Sequence, residues 1–117
     1  MVIERPPLTD DEFLSDQDVP ATDARIWLGV RRALAKSCGV PPSAVYPSDL
    51  TRDLMRMQFP LPDILEIRLR LEREFAIKVP QAPLEAAFGP RSGDAQVRDF
   101  AAAVAMAIRS SDSSNHF

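Results

Sequence analysis

Residues 62–76 constrain the fold more than any other part of the chain. Apolar and charged residues alternate over much of this segment, and alternation alone is the pattern of a β-strand. Its leucines, glutamates and arginines, however, favour helices over strands, and Pro62 suits the first turn of a helix. Apolar residues also recur at helical steps, at Ile64, Ile67, Leu71 and Phe75. We therefore predict a helix over 62–76 that turns this stripe toward the core.

Three further segments have helical periodicity. The first spans 22–38, the second is short and spans 83–88, and the third spans 95–109 and is rich in alanine. Glycine and proline punctuate the stretches between them. The chain is therefore predicted to be all-α, with three longer helices and one short one.

The helix over 22–38 is expected to have an apolar face and a wet face. Gly39, followed by two prolines, should end it. Cys38 falls on the apolar side and is interpreted as a small buried hydrophobe, with a reactive thiol as the alternative. The basic residues are expected to face water: Arg25, Arg31, Arg32 and Lys36.

A long loop is predicted over residues 39–60. A loop of more than about 12–15 residues usually has a function or packed side chains of its own. We expect one short helical turn over 48–54. Several apolar residues are available to hold the loop on the domain: Val45, Tyr46, Leu50, Leu54, Met55 and Phe59.

Both ends of the chain are polar. Residues 1–20 hold six acids and one base, a charge of −5, whereas the rest holds 11 acids and 13 bases, a charge of +2. We predict a mostly flexible acidic arm over 1–20, with a single helical turn as the alternative where Thr9 and Glu12 fit a capping box. A flexible tail is predicted over 110–117, which leaves 21–109 as the helical domain.

Composition excludes several classes of protein. The 117 residues suffice for one domain, and no apolar run approaches the 18 residues of a membrane span. With one cysteine and one histidine, the chain offers neither an intramolecular disulfide nor a Cys/His zinc site. Its charge provides no footprint for nucleic acid. The first residues lack the features of a signal peptide, so we expect a cytoplasmic protein. We also expect it to be a monomer.

The order of elements over 22–109 resembles that of an acyl carrier protein. Three stretches carry the resemblance: the helix exit 74–80 (Glu-Phe-Ala-Ile-Lys-Val-Pro), the loop from Gly39-Val40 to Asp53-Leu54, and the last helix with Asp99-Phe100. The resemblance implies a four-helix bundle of the acyl-carrier-protein type, outside which the arm and the tail lie.

In that family a serine at the start of the second long helix, in the sequence Asp-Ser-Leu, carries phosphopantetheine. Counting back from Phe75 places Leu61 at the serine position, and counting forward from Leu54 places Gln58 there. The prosthetic group needs a side-chain oxygen for its phosphodiester, and neither residue has a hydroxyl. The resemblance therefore implies a carrier-like chain without 4'-phosphopantetheine.

A displaced attachment site is the alternative. Ser48 and Thr51 are hydroxyl residues about ten positions upstream of Leu61. Attachment at either would make the chain a functional acyl carrier protein whose 4'-phosphopantetheine sits in the loop. Proline at 62 also removes an N–H donor from the helix start, where a phosphate is normally favoured.

An apolar flank of the helix over 62–76 is the candidate docking site. The resemblance implies that this flank faces partner enzymes. The alternative is that it packs beneath the loop, under Met55, Met57 or Phe59. The family's acidic charge is offset here by Arg68, Arg70 and Arg73, which weakens steering toward basic partners. The candidate docking residues are Leu61, Leu65, Leu69, Met55 and Met57.

The functional prediction is a carrier-like protein that acts through protein–protein contacts, as a regulator or scaffold. The implied partner is an enzyme of fatty-acid or polyketide type. The sequence shows no nucleophile–base pair, phosphate loop or metal cluster, so we do not expect an enzyme.

Overall fold

The computed structural model describes residues 6–15, 19–55, 64–76, 78–89 and 93–114. Two 3₁₀ turns, Ala21–Asp23 and Pro42–Ala44, accompany the α-helices. The described residues form six α-helices: α1 (Asp10–Ser15), α2 (Ala24–Cys38), α3 (Thr51–Met55), α4 (Ile64–Phe75), α5 (Gln81–Phe88) and α6 (Val97–Ser114).

The prediction of an all-α chain is confirmed over these ranges. They contain no β-strand, and their one isolated bridge joins Leu50 to Gln96. Helix, not strand, is also confirmed for 64–75, while Pro62 lies outside the described residues. The three longer helices α2, α4 and α6 and the short helix α5 lie where the periodicity placed them. No helix in the described ranges has the length and apolarity needed to cross a membrane.

Helix α2 packs against both α4 and α6. It ends as predicted at Gly39, whose φ of 70° is left-handed and favours glycine. Gly29 lies at the crossing with α4. A Cβ built there would come within 2.6 Å of the Phe75 ring, so the absence of a side chain lets the two helices approach closely.

The core lies between these helices. Each contributes apolar residues at three- and four-residue steps, which is the pattern that predicted them. Cys38 is buried among them, as predicted. The largest fully buried apolar side chains of α2, α4, α5 and α6 are Val30, Leu34, Ile67, Leu71, Leu84, Val97 and Phe100.

The loop after α2 caps the start of α6. The first N–H groups of a helix have no partner within the helix. Here the Val97 N–H donates to the Asp49 carbonyl at 2.8 Å and the Arg98 N–H donates to the Pro47 carbonyl at 2.9 Å. The buried Thr51 hydroxyl donates to the Ala87 carbonyl at the end of α5. The loop is therefore held by backbone polar groups as well as by apolar side chains.

The described part of the predicted flexible arm, residues 6–15 and 19–20, packs on the domain, while 1–5 and 16–18 lie outside the described residues. Within it, Asp10–Ser15 is helical, and the predicted capping box is formed: the Glu12 N–H donates to Thr9 Oγ1, and the Thr9 N–H donates to Glu12 Oε1. Phe13 is fully buried and meets Trp27 of α2 edge-on, with ring centroids 6.3 Å apart. The segment packs because its few apolar side chains reach the core, an effect that its average composition does not show.

Arg31 contradicts the predicted wet face of α2. Its side chain is only 1% exposed. The guanidinium donates from Nε to the Val45 carbonyl at 3.2 Å, from one terminal nitrogen to Asp10 Oδ1 at 2.9 Å, and from the other to the Leu8 carbonyl. It also lies 4.7 Å from the centroid of the Phe13 ring, a distance suited to a cation–π contact. Desolvation lowers the Arg31 pKa, which Asp10 partly opposes.

The C-terminal end also differs from prediction. Helix α6 continues to Ser114, five residues beyond the predicted end at 109. Arg109 pairs with the buried carboxylate of Asp23 at 2.8 Å, so Asp23 anchors α6 and makes no side-chain capping bond to α2. The remainder of the predicted tail, 115–117, lies outside the described residues.

We predict that Arg31→Met lowers the free energy of unfolding by about 2–4 kcal/mol, because it removes three charge-assisted hydrogen bonds and leaves carbonyls without donors. Arg32→Met is the matched control. Its side chain is 49% exposed, and its ion pair should contribute less than about 1 kcal/mol. Urea denaturation measures both values. The exchange rate of the Leu8 amide, which donates to Ser43, should rise only in Arg31→Met. Unchanged exchange there would show that Arg31 does not hold the N-terminal segment.

Candidate docking surface

Helix α4 presents Leu65 and Leu69 to solvent. Their side chains are 57% and 47% exposed, whereas Ile67, Leu71 and Phe75 on the same helix are buried. Residues four apart lie next to each other on a helix, so the two leucines form one apolar stripe. We call Leu65 and Leu69 the leucine stripe.

The other three candidate residues have no described side chains. Leu61 and Met57 lie outside the described residues, and Met55 ends α3 with its side chain outside them. Phe59, under which the flank was alternatively expected to pack, is also outside. The packing alternative therefore stays a prediction.

Ion pairs neutralise the acidic residues of α4. Glu66 pairs with Arg70 at 2.7 Å, and Glu72 pairs with Arg68 at 3.4 Å. Glu74 pairs with Arg32 of α2. The prediction that arginines offset the acidic charge of this helix therefore has a geometric basis, because each described carboxylate of α4 has its own arginine.

Glu72 also closes the turn that follows α4. Its Oε2 accepts the Val79 N–H at 2.9 Å, and this hydrogen bond, followed by nearby Arg68 and Lys78, lowers the pKa of the carboxyl group. Ala76 between them has a φ of 57°, a left-handed conformation that costs a non-glycine residue free energy. The exit from α4 is thus held by a side chain, and α4 has a fixed end.

Sequence reasoning missed a groove between α2 and α4. It encloses about 310 Å³ and is lined mainly by basic residues: Arg32, Ala33, Lys36, Arg70, Arg73 and Glu74. The sequence placed these cations on the outer sides of two separate helices. The groove arises because the Gly29–Phe75 contact brings these sides together, and a single sequence carries no direct signal for that. Apart from the leucine stripe, Met106 of α6 is also an exposed apolar residue, at 63%.

The two hydroxyls considered for a displaced prosthetic group have different surroundings. Thr51 is buried, and its Oγ1 donates to the Ala87 carbonyl and lies 3.3 Å from the Ala95 carbonyl. Such a hydroxyl is inaccessible to a modifying enzyme. Ser48 is exposed in the turn before α3. Of the two, only Ser48 is accessible.

The described residues contain no cluster of three metal-ligating side chains. Burial raises the pKa of the Cys38 thiol to about 11. A thiol reacts as its thiolate, so both its burial and its pKa oppose reactivity at neutral pH.

Comparison with protein-family models, with curated proteins and with solved structures gave no match.

We predict that Cys38 reacts with a disulfide reagent at pH 8 at least about a hundredfold more slowly in the folded protein than in urea. A change in pKa from 9.0 to about 11 alone reduces the thiolate fraction by about that factor, and burial adds to it. The absorbance of the coloured thiolate that the reagent releases measures the rate. Equal rates in the folded and unfolded protein would contradict the burial of Cys38.

The stabilising contribution of the neutral, buried thiol should persist below pH 9 and decline as the pH rises toward 11, because the pKa of Cys38 is higher in the folded than in the unfolded protein.

Proposed function

We propose that this chain is a protein of acyl-carrier-protein type without a prosthetic group, which acts by docking its helix α4 onto a partner protein. The leucine stripe carries the proposal. Isolated exposed apolar residues are common on proteins, but two leucines four residues apart on one helix form the kind of apolar face that docks into a groove of a partner.

The resemblance to carrier proteins supports the choice of α4. The all-α chain has its longer and shorter helices in the order that the resemblance implies over 22–109. In carrier proteins the helix that follows the long loop is the docking helix, and α4 occupies that place here. The fixed exit at Glu72 and Val79 and the close packing at Gly29 hold α4 in one orientation, which lowers the entropic cost of binding.

The charge of α4 differs from that of the acidic docking helix of typical acyl carrier proteins. Its carboxylates Glu66, Glu72 and Glu74 are each paired with an arginine. Paired charges attract a basic partner surface weakly, especially at physiological salt. We therefore propose that the contacts of α4 depend on apolar burial and are regulatory or scaffolding in effect, with an enzyme of fatty-acid or polyketide type as the implied partner.

A functional acyl carrier protein remains the second candidate because Ser48 is exposed. A phosphopantetheine there would extend from the turn before α3 instead of from the start of α4. Thr51 is unsuited to that role because its hydroxyl is buried and engaged with carbonyls.

We predict that Leu69→Glu abolishes partner capture without unfolding the protein. An exposed substitution usually changes stability by less than about 0.5 kcal/mol, whereas Leu71→Ala in the core should cost about 2–5 kcal/mol. Wild-type and variant proteins are immobilised and exposed to lysate of cells that express the chain, and retained proteins are identified by mass spectrometry.

Met106→Glu is the matched control, because it makes the same kind of change at an apolar residue on another helix that is at least as exposed as the two leucines. A protein retained by the wild type and by Met106→Glu, but lost with Leu65→Glu and Leu69→Glu, is the expected partner. Identical retention by all four proteins would contradict docking through the leucine stripe. Unfolding of Leu69→Glu would show instead that the stripe is part of the packed core.

We predict that the wild-type protein gains no mass when it is incubated with a broad phosphopantetheinyl transferase and coenzyme A. Intact mass spectrometry measures the result. The triple variant Pro60→Asp, Leu61→Ser and Pro62→Leu restores the Asp-Ser-Leu sequence at the position aligned with the family serine, and should gain the mass of one phosphopantetheine.

Two results would contradict this reading. Modification of the wild type that is lost in Ser48→Ala would establish the functional carrier with a displaced site. A folded triple variant that stays unmodified would count against the acyl-carrier-protein type, because its aligned serine would then not lie in a recognisable place.

A further inference from the structure

We propose that the groove between α2 and α4, together with the leucine stripe, binds an acidic amphipathic segment of a partner protein. This inference rests on the proposed function and names the chemistry of the partner. The groove is lined by Arg32, Ala33, Lys36, Arg70, Arg73 and Glu74 and has a volume of about 310 Å³.

Two of the four cations in the groove are uncompensated. Arg32 pairs with Glu74, and Arg70 pairs with Glu66. Lys36 and Arg73 form no ion pair within the described part of the chain, and both are exposed. The groove therefore has a net positive charge, on opposite walls, in a protein whose overall charge is −3. Carboxylates of a partner are the natural counterpart of these two cations.

The basic groove is continuous with the leucine stripe. Leu65, Leu69 and Arg73 follow one another at four-residue steps and so lie along one side of α4. Arg73 is both the next position of that stripe and a wall of the groove. A segment that places apolar side chains on the leucines is thereby directed to place acidic side chains on Arg73 and Lys36. This combination of apolar anchors and adjacent charge gives binding both affinity and orientation.

The charges favour an acidic protein segment over nucleic acid. A nucleic-acid site needs a run of cations that follows successive phosphates. Here the cations alternate with carboxylates, since Glu66 and Glu74 stand beside Arg70 and Arg32. A polyphosphate backbone would meet these carboxylates, whereas a protein segment with separate acidic residues need meet only Lys36 and Arg73.

The chain has an acidic segment of its own near the N-terminus. Its described residues pack on a face of α2 other than the one that lines the groove. Asp10 and Phe13 are held by Arg31, and Arg31 is about 100° around the helix from Arg32. The proposal therefore commits to a segment of another protein as the occupant, and self-association is one outcome of the test.

The test uses a fluorescein-labelled 16-residue peptide, designed as a helix with leucines every four residues and glutamates between them. Fluorescence polarisation gives its Kd for the full chain at low and physiological salt. A peptide with lysines in place of the glutamates and a single-stranded oligodeoxynucleotide of equal length are the competing probes. We expect the acidic peptide alone to bind, more weakly as salt rises.

The variant Lys36→Glu/Arg73→Glu should weaken binding at low salt at least about tenfold, because it reverses two charges that face the peptide. The control Arg25→Glu/Arg52→Glu makes the same change in net charge at two exposed positions outside the groove and away from the α4 exit. Arg25 lies 11 residues before Lys36 on α2, a distance of about 16 Å along the helix. The control should change Kd less than about threefold, and circular dichroism checks that both variants fold.

Four results would overturn the inference: no binding of the acidic peptide, tighter binding of the lysine peptide or the oligonucleotide, equal losses in the groove and control variants, or concentration-dependent dimerisation through the groove. These results are separable from a failure of the proposed function. If Lys36→Glu/Arg73→Glu still captures the partner that Leu69→Glu loses, docking through α4 stands and only the acidic chemistry of the partner is wrong.

Discussion

The buried guanidinium of Arg31 joins three parts of the chain that are distant in sequence. It bonds the Leu8 carbonyl and Asp10 in the N-terminal segment, and the Val45 carbonyl in the loop after α2. A buried charge is costly unless it is paired and hydrogen-bonded, so these partners must be present together. Once Val45 is fixed, the loop that follows it can place its carbonyls on the first N–H groups of α6 and the Thr51 hydroxyl on the end of α5. One side chain thus orders the loop on which two other helices depend.

The contact between α2 and α4 determines which residues of α4 face solvent and which line the groove. Gly29 lets the Phe75 ring approach the α2 backbone. That approach fixes the rotation of α4, turning Ile67 and Leu71 inward and Leu65 and Leu69 outward. It also sets Arg70 and Arg73 opposite Arg32 and Lys36. The leucine stripe and the basic groove are therefore two consequences of one packing contact.

The helices could be predicted from sequence because their signals are local. Periodicity distinguished α4 from a strand, and Gly39 ended α2 for the stereochemical reason expected of a left-handed residue. The N-terminal segment could not be predicted in the same way. Its average composition is acidic and polar, whereas its docking depends on Phe13 and on a partner 18 positions away at Arg31. The basic groove was also beyond reach, because its cations look like ordinary solvated residues until the two helices are placed side by side. Leu65 and Leu69 could be named from the sequence as candidate docking residues, but only the structure shows that they are exposed.

The outer surface of α4 combines two features that oppose each other in an isolated protein. Exposed leucines favour association without selectivity, whereas charges beside them select among partners. The acidic residues of α4 are all paired with arginines of this chain. Within the described residues, the unpaired charge next to the leucines is therefore that of Arg73, and Lys36 adds a second positive charge on the other side of the groove. A basic surface would be repelled by these two cations and an apolar surface would leave them unpaired. An acidic amphipathic segment would satisfy both the leucines and the cations, so the same ion pairs that remove the acidic character of α4 favour the acidic partner that we propose.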